Sequence, residues 1–173
     1  MAVKMIYYDH IPETIIGSVW LAASKVGLIT IDFDLSELDF VKRIRKSLRI
    51  SFAEDKSLLN PYFEQIKAYL EAAITDLNAA VDLSGCTPFQ RKVLLSVKDI
   101  PYGQMITYAE LAKRIGDPNA LRAVGQALRR NPIPVAIPCH RVVHSDGTLG
   151  GYGGAIGSER KVKLLKLEGA ILT

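Results

Sequence analysis

Metal-ligating and disulfide-forming residues are scarce in this sequence. Its 173 residues include two cysteines, Cys86 and Cys139, and three histidines, His10, His140 and His144. Two distant cysteines with no C-x-x-C pairing exclude a disulfide scaffold and a zinc framework. His140 and His144 stand four apart, but the stretch between them reads as extended, which puts both rings on one face yet too far apart to share a metal easily. No metal and no other cofactor is expected. Long apolar runs are also missing: none approaches the ~18 residues of a membrane span, and the opening MAVKMIYYDH has no signal-peptide layout. The expected setting is cytoplasmic (nuclear in a eukaryotic source), with no membrane partner. Internal repeats and low-complexity tracts are absent. With 49% hydrophobic and 23% charged residues, the composition is that of a folded globular chain and argues against disorder.

The charge that is present is unevenly placed. Residues 1–84 carry 9 Lys and Arg against 12 Asp and Glu, whereas residues 85–173 carry 13 against 6. An acidic half joined to a basic half suggests that the second half meets a polyanion, most simply nucleic acid. The small, turn-like stretch NAAVDLSGC (78–86) marks the boundary, giving two domains, 1–84 and 85–173.

The first domain reads as α/β. TIIGSVWLAA (14–23) and GLITIDFD (27–34) are β-rich runs joined as a hairpin by Ser24, Lys25, Val26 and Gly27. SELDFVKRIRKSL (36–48) places Leu38, Val41, Ile44 and Leu48 at helical spacing. A second helix is expected from Asn60 as N-cap and Pro61 at the first helical position, with Phe63, Ile66 and Leu70 on its apolar side. No chemistry signature falls in this half. The second domain reads as mostly helical. Thr87-Pro88-Phe89-Gln90 has the form of a capping box opening a helix through about Lys98, and Pro101-Tyr102-Gly103 makes a turn. Thr107 through Glu110 forms a second capping box, whose helix Gly116 stops. Asp117-Pro118 restarts a third helix, which ends at Asn131-Pro132.

Two short helices separated by GDPN form a helix-turn-helix pattern. On the second, Leu121, Val124 and Leu128 gather on one side, and Arg122, Gln126, Arg129 and Arg130 on the other. Ala123, Gly125 and Ala127 add no bulk, so backbone could approach a nucleic acid closely while the cations meet phosphates. An ordinary amphipathic helix with a solvated basic face has the same pattern. Few side chains here suit bidentate base reading, so binding of weak sequence specificity is expected.

IPCHRVV (137–143) sets a thiol, an imidazole and a guanidinium side by side. The lead-in NPIPVAIP holds three prolines in eight residues, which reduces backbone freedom before Cys139. In an extended segment Cys139 and Arg141 share a face and His140 points the other way, so His140 acts on the thiol only if the fold turns it back or a water intervenes. Glu168 and Asp146 are both available to orient the histidine. Chemistry alone leaves Cys139 open between a nucleophile and a small buried residue, and Cys86 reads as structural. DGTLGGYGG (146–154) has five glycines in nine residues, a loop suited to close backbone approach to a ligand.

Taken together, TPFQRKV, IPYGQMITYAELA, RAVGQALRRNP, IPCHRVV and GGYGG followed by RKVKLLKLEG resemble the O6-alkylguanine-DNA alkyltransferase family, also called methylated-DNA–protein-cysteine methyltransferases. The motifs cover nearly all of residues 87–169. The resemblance implies an N-terminal α/β domain with a ribonuclease-H-like sheet and a mostly α C-terminal domain carrying a winged-helix-like helix-turn-helix. It implies a DNA-repair monomer that binds double-stranded DNA through the minor groove and flips O6-alkylguanine out of the stack. The alkyl group would pass irreversibly to the protein's own cysteine. By motif, Cys139 is the acceptor, His140 its base through water, Glu168 the group that orients His140, and Asn131 a brace of the cysteine loop. Tyr108 rotates a phosphate and donates to the departing guanine, and Arg122 enters the base stack. Ala123, Gly125, Gln126, Ala127, Arg129 and Arg130 complete the DNA-facing helix. Leu128, Val142, Tyr152 and Gly153 line the base pocket, Gly153 through its backbone N–H alone, since the family often has serine there and glycine lacks that side chain. Some members hold a structural zinc in the N-terminal domain, but residues 1–85 contain one histidine and no cysteine, so none is carried over. The competing readings are a non-catalytic helix-turn-helix DNA-binding protein and a cysteine hydrolase, for which His140 is too close in sequence to be the usual partner.

Overall fold

Non-local strand pairing organises the first half of the chain. The computed structural model describes residues 4–47, 50–52, 57–153 and 158–171, and the chain divides into two compact units, Met1–Asp82 and Leu83–Thr173. In the first, β1 (Lys4–Ile11), β2 (Val19–Ala23), β3 (Leu28–Phe33) and β4 (Ile50–Phe52) form one sheet in the order β3-β2-β1-β4. β2 pairs antiparallel with both β1 and β3, and β4 pairs parallel with β1. The expected hairpin is β2 and β3, though residues 14–18 turn before β2 begins. All five residues of β2, VWLAA, are buried, as a strand covered on both faces requires.

Helix α1 (Glu37–Ser47) covers this sheet with Phe40 and Ile44, which pack with Ile6, Trp20, Ala22 and Ile29. This differs from the expected stripe. Leu38 is exposed, Val41 is half-buried, and Leu48 lies outside the described residues. Leu38 lies in the first turn of the helix, which begins one residue before it at Glu37. Helix α2 (Asn60–Leu70) starts from Leu59, and Asn60 is its first residue rather than its cap. Ile66, Tyr69 and Leu70 are its buried residues, with Phe63 only half-buried. Segment 79–82 closes the unit. Leu28 N donates to Ala80 O (2.9 Å), Asp82 N to Leu28 O (2.7 Å), and Ser24 Oγ to Asp82 Oδ2 (2.7 Å). A Cβ on Gly27 would sit 2.5 Å from Ala80 O, so only glycine admits this contact.

The second unit is built from helix punctuation. Helix α3 (Pro88–Lys98) is capped by Thr87, whose side chain accepts from Gln90 N at 3.2 Å. The reciprocal half of the expected box is missing: Gln90 Nε2 donates instead to Arg130 O (2.9 Å). Helix α4 (Tyr108–Arg114) has the full box, with Thr107 and Glu110 bonded both ways, and Gly116 follows it at φ +78°. Helix α5 (Leu121–Arg129) begins later than expected. Asp117 and Pro118 form a turn closed by Ala120 N to Asp117 O (3.1 Å), and Asn119 N donates to Asp117 Oδ1 (3.3 Å). Two short strands, β5 (Ile106–Thr107) and β6 (Val142–Val143), pair in parallel, and α6 (Glu159–Leu167) ends the described fold. No helix among the described residues is long and apolar enough to cross a membrane.

Candidate active site and nucleic-acid interface

Asn131, just past the end of α5, holds both ends of the proline loop. Its Nδ2 donates to Ile137 O (2.9 Å) and to Cys139 Sγ (3.2 Å), and its Oδ1 accepts from Ile133 N (3.0 Å). One amide thereby spends both donors and an acceptor on the segment that presents the thiol. Within the loop Ile137 N donates to Ile133 O (2.9 Å). Val135 is buried at φ +74°, a left-handed conformation that costs a β-branched residue on the order of 1–3 kcal/mol and persists because its surroundings dictate it.

Cys139–Arg141 is a single 3-10 turn, not the extended stretch expected from the alternating pattern. Arg141 N closes it on Pro138 O at 2.9 Å. With three residues per turn, consecutive side chains point about 120° apart. Cys139, His140 and Arg141 therefore diverge, and Arg141 does not share the cysteine's face.

His140 and Arg141 converge instead on Glu168, at the end of α6. His140 Nε2 lies 2.6 Å from Glu168 Oε1, both side chains being fully buried. Arg141 Nε donates to Glu168 Oε2 (2.9 Å) and Nη2 to Oε1 (2.9 Å), while Nη1 reaches Ile100 O (2.5 Å). Gly103 N adds a donor to Oε2 at 3.0 Å. Asp146, the other candidate orienter, instead accepts from Thr148 N (2.9 Å) and Oγ1 (2.7 Å) in its own turn. Burial pulls the His140 imidazole below its ordinary value, and the Glu168 carboxylate only partly restores it. The resting ring is therefore neutral. With Nε2 as the donor to Glu168, Nδ1 is the basic nitrogen.

Burial likewise pushes the Cys139 thiol up, against the Asn131 hydrogen bond and the positive charge of Lys161, both of which lower it. Lys161 is fully buried. It donates to Val142 O (2.6 Å) and to Leu149 O, and burial brings its pKa down to about 8. The thiol is thus kept neutral at rest in a setting where a cation and an amide await its anion.

Around this centre Val142 and Leu128 are buried, and Tyr152 is buried with its ring edge-on to His140 at 6.0 Å. Gly153 is exposed at φ +58°, and Gly154 lies outside the described residues. Tyr108 is half-buried, its phenol raised first by burial and then by the nearby Cys139. Helix α5 exposes Arg122, Ala123, Gln126, Arg129 and Arg130, with Gly125 half-buried. Ala127 departs from the surface role expected of it: it is buried beside Val124 and Leu128. Leu121, expected on the buried side, is 47% exposed because it precedes the part of α5 that packs on its neighbours. Among the described residues no three His, Cys, Asp or Glu side chains gather as a metal site.

Arg141 and Lys161 are the members of this cluster that sequence reasoning missed. A signal for Lys161 was available: Lys161, Leu164, Leu165 and Glu168 recur at i, i+3, i+4 and i+7, the spacing of a buried stripe, so a cation and a carboxylate occupy core positions.

Residues 88–170 match the family model described as 6-O-methylguanine DNA methyltransferase, DNA binding domain, and residues 6–83 match its ribonuclease-like domain. A methylated-DNA–protein-cysteine methyltransferase of Methanosarcina barkeri is 42% identical over 163 residues, covering 94% of this chain and 96% of that protein. The crystal structure of Mycobacterium tuberculosis O6-methylguanine methyltransferase superposes with a TM-score of 0.78 at 34% identity, over 96% of this chain and 94% of that one. The structure of Mycobacterium tuberculosis OGT in complex with DNA is similar at a TM-score of 0.76, with 34% identity, 96% of this chain and 93% of that chain covered.

Proposed function

We infer the reaction from one premise: this chain belongs to the 6-O-methylguanine DNA methyltransferase family. It is a DNA repair protein that transfers the alkyl group of O6-alkylguanine to a cysteine of its own, and Cys139 is that cysteine. The observation that carries the assignment is the single turn that presents Cys139 while anchoring His140 on a buried carboxylate.

The thiol proton leaves through an intervening water to His140 Nδ1, and the imidazolium so formed is balanced by Glu168. Arg141 holds that carboxylate in place. Sγ attacks the alkyl carbon in line, the carbon–O6 bond breaks, and its electron pair goes to O6 of the guanine. Tyr108 supplies a proton as the base departs. Because burial keeps the resting thiol protonated, nucleophilicity appears only when the base and the lesion are both in place, which protects the cysteine from other electrophiles. The product thioether has no leaving group that water displaces. Each molecule is therefore consumed by one lesion.

The target carbon is inaccessible inside a duplex, so the damaged base leaves the stack. The α4–turn–α5 pair acts as a helix-turn-helix, with the exposed face of α5 in the minor groove, Arg129 and Arg130 on phosphates, and Arg122 in the space the base vacates. Val142, Tyr152, Leu128 and the Gly153 backbone line the pocket. The N-terminal unit is a ribonuclease-H-like support, and the protein acts as a monomer. An assay on duplex DNA containing O6-methylguanine tests this reading. Guanine should be restored in the DNA in an amount equal to the protein added and no more. Binding without restoration would leave a lesion-binding protein, and restoration beyond one equivalent would contradict the consumed cysteine.

A further inference from the structure

Gln90 stands at the third position of α3, where a glutamine usually turns back to the backbone of the N-cap. Its own backbone is fixed locally, since Gln90 N donates to Thr87 Oγ1 (3.2 Å). Its side chain leaves the helix. It crosses to α5, which packs against α3, and Nε2 donates to Arg130 O (2.9 Å). Arg130 is the C-cap of α5. Carbonyls at a helix end have no partner within the helix, so this one is satisfied from a residue 40 positions earlier in the chain.

Arg130 O and Asn131 N belong to one planar peptide group. Asn131 N donates to Leu128 O (3.0 Å), so the group is held from both edges, by Gln90 on one side and by α5 on the other. Immediately after it comes the Asn131 side chain, whose Nδ2 reaches Ile137 O (2.9 Å) and Cys139 Sγ (3.2 Å). Immediately before it lies the exposed face of α5 with Arg122, Gln126 and Arg129. This peptide is therefore the junction between the helix that carries the cations and the amide that fixes the thiol. With its plane anchored, the direction in which Asn131 leaves the helix is set.

We propose that Gln90 is a positioning residue for alkyl transfer: by anchoring the Arg130–Asn131 peptide, it fixes the amide that holds Cys139 Sγ relative to the exposed face of α5. This rests on the reading that Cys139 is the acceptor and that α5 meets the duplex. Gln90 touches neither the thiol nor the base. Its contribution is geometric, and small misplacements of a reacting atom are costly. A glutamine that merely capped α5 would support folding alone, and its loss would lower stability and activity together.

Two variants separate these roles. Gln90→Met keeps the length of the side chain with neither donor nor charge. Gln90→Glu completes the capping box with Thr87 and suits a helix N-terminus, but the ionised carboxylate offers Arg130 O no donor. Affinity for an O6-methylguanine duplex, single-turnover methyl transfer at saturating duplex and unfolding in denaturant are measured for both variants and the wild type. Alkylation by iodoacetamide is followed in parallel on the peptide bearing Cys139. Both variants should transfer the methyl group roughly fivefold more slowly at saturation, the equivalent of about one neutral hydrogen bond. Gln90→Met should still bind the duplex as the wild type does. Gln90→Glu should regain the stability that Gln90→Met loses without regaining the rate. Iodoacetamide alkylation should slow in both, because the Asn131 hydrogen bond favours the thiolate. A wild-type transfer rate in either variant, a loss in Gln90→Met that lies wholly in duplex affinity, or a rate that follows stability across the two variants would each overturn the positioning role. A wild type that binds the duplex but is never methylated sinks the underlying reading, and the iodoacetamide series then decides by itself whether Gln90 sets the thiol.

Discussion

Helix α5 and the Glu168 cluster belong to one compact unit and use the same kinds of side chain in opposite ways. Arg122, Arg129 and Arg130 stand in solvent, where each charge is screened and contributes little to folding. His140, Arg141, Lys161 and Glu168 are buried, where a charge is tolerated only when its partners are in place. Cations that meet an incoming polyanion must exchange water and counterions for phosphate, so they remain wet. Groups that move a proton and stabilise a transient thiolate act best where no water competes. The exposed arginines should therefore govern DNA affinity and its salt dependence, and the buried ones stability and chemistry.

The sharpest way to break that contrast is Glu168→Gln. It leaves Arg141 buried without its carboxylate and His140 without its partner, and the unfolding free energy should fall by about 3–5 kcal/mol in denaturant titration. Arg130→Ala should change it by less than ~0.5 kcal/mol. Similar losses in both would erase the distinction. Next in size is Arg122→Ala. If the arginine offsets the few kcal/mol of unstacking, duplex repair should slow on the order of a hundredfold, with a far smaller effect on the free base O6-methylguanine. Equal slowing of the two substrates would argue against an inserted side chain. Arg129→Ala and Arg130→Ala should each lower the slope of log affinity against log salt by about 1, read from binding isotherms between low and moderate salt.

The smallest expected effect is in pH dependence. The His140 pKa in the folded protein lies below the ordinary 6.5, so the unfolded chain binds the extra proton first as pH falls. The stabilisation is present above 6.5 and is lost as pH drops through the folded value. Thermal denaturation of wild type and His140→Asn across that window should diverge above it and converge below it. A constant difference would show that the histidine does not titrate with unfolding.

Local punctuation was legible in the sequence. Thr87-Pro88, the Thr107–Glu110 box and Gly116 mark helix ends through contacts within a few residues, and those ends appear where the local chemistry sets them. The Val19–Ala23 and Leu28–Phe33 hairpin was readable for the same reason. Strand β4 went unread because its parallel pairing with β1 joins residues more than forty positions apart, and no local pattern reports it. At the reactive segment, Val142 and Val143 suggested extension through Cys139, but Pro138 and the Asn131 brackets bend it into a 3-10 turn. That bend separates Cys139 from Arg141. It also explains why Arg141, read as a neighbour of the thiol, belongs to the carboxylate. Leu38 and Leu121 misled in a common way: both sit in the first turn of a helix, where the right periodicity meets no opposing surface.

The central claim is that one thiol, Cys139, is the alkyl acceptor. The direct measurement is peptide mass mapping after reaction with excess O6-methylguanine duplex, since the two cysteines, Cys86 and Cys139, fall in different parts of the sequence. A gain of one methyl group confined to the peptide bearing Cys139, complete at one equivalent, is the predicted result. A methyl group on Cys86, or none on either peptide while the duplex is bound, would contradict it.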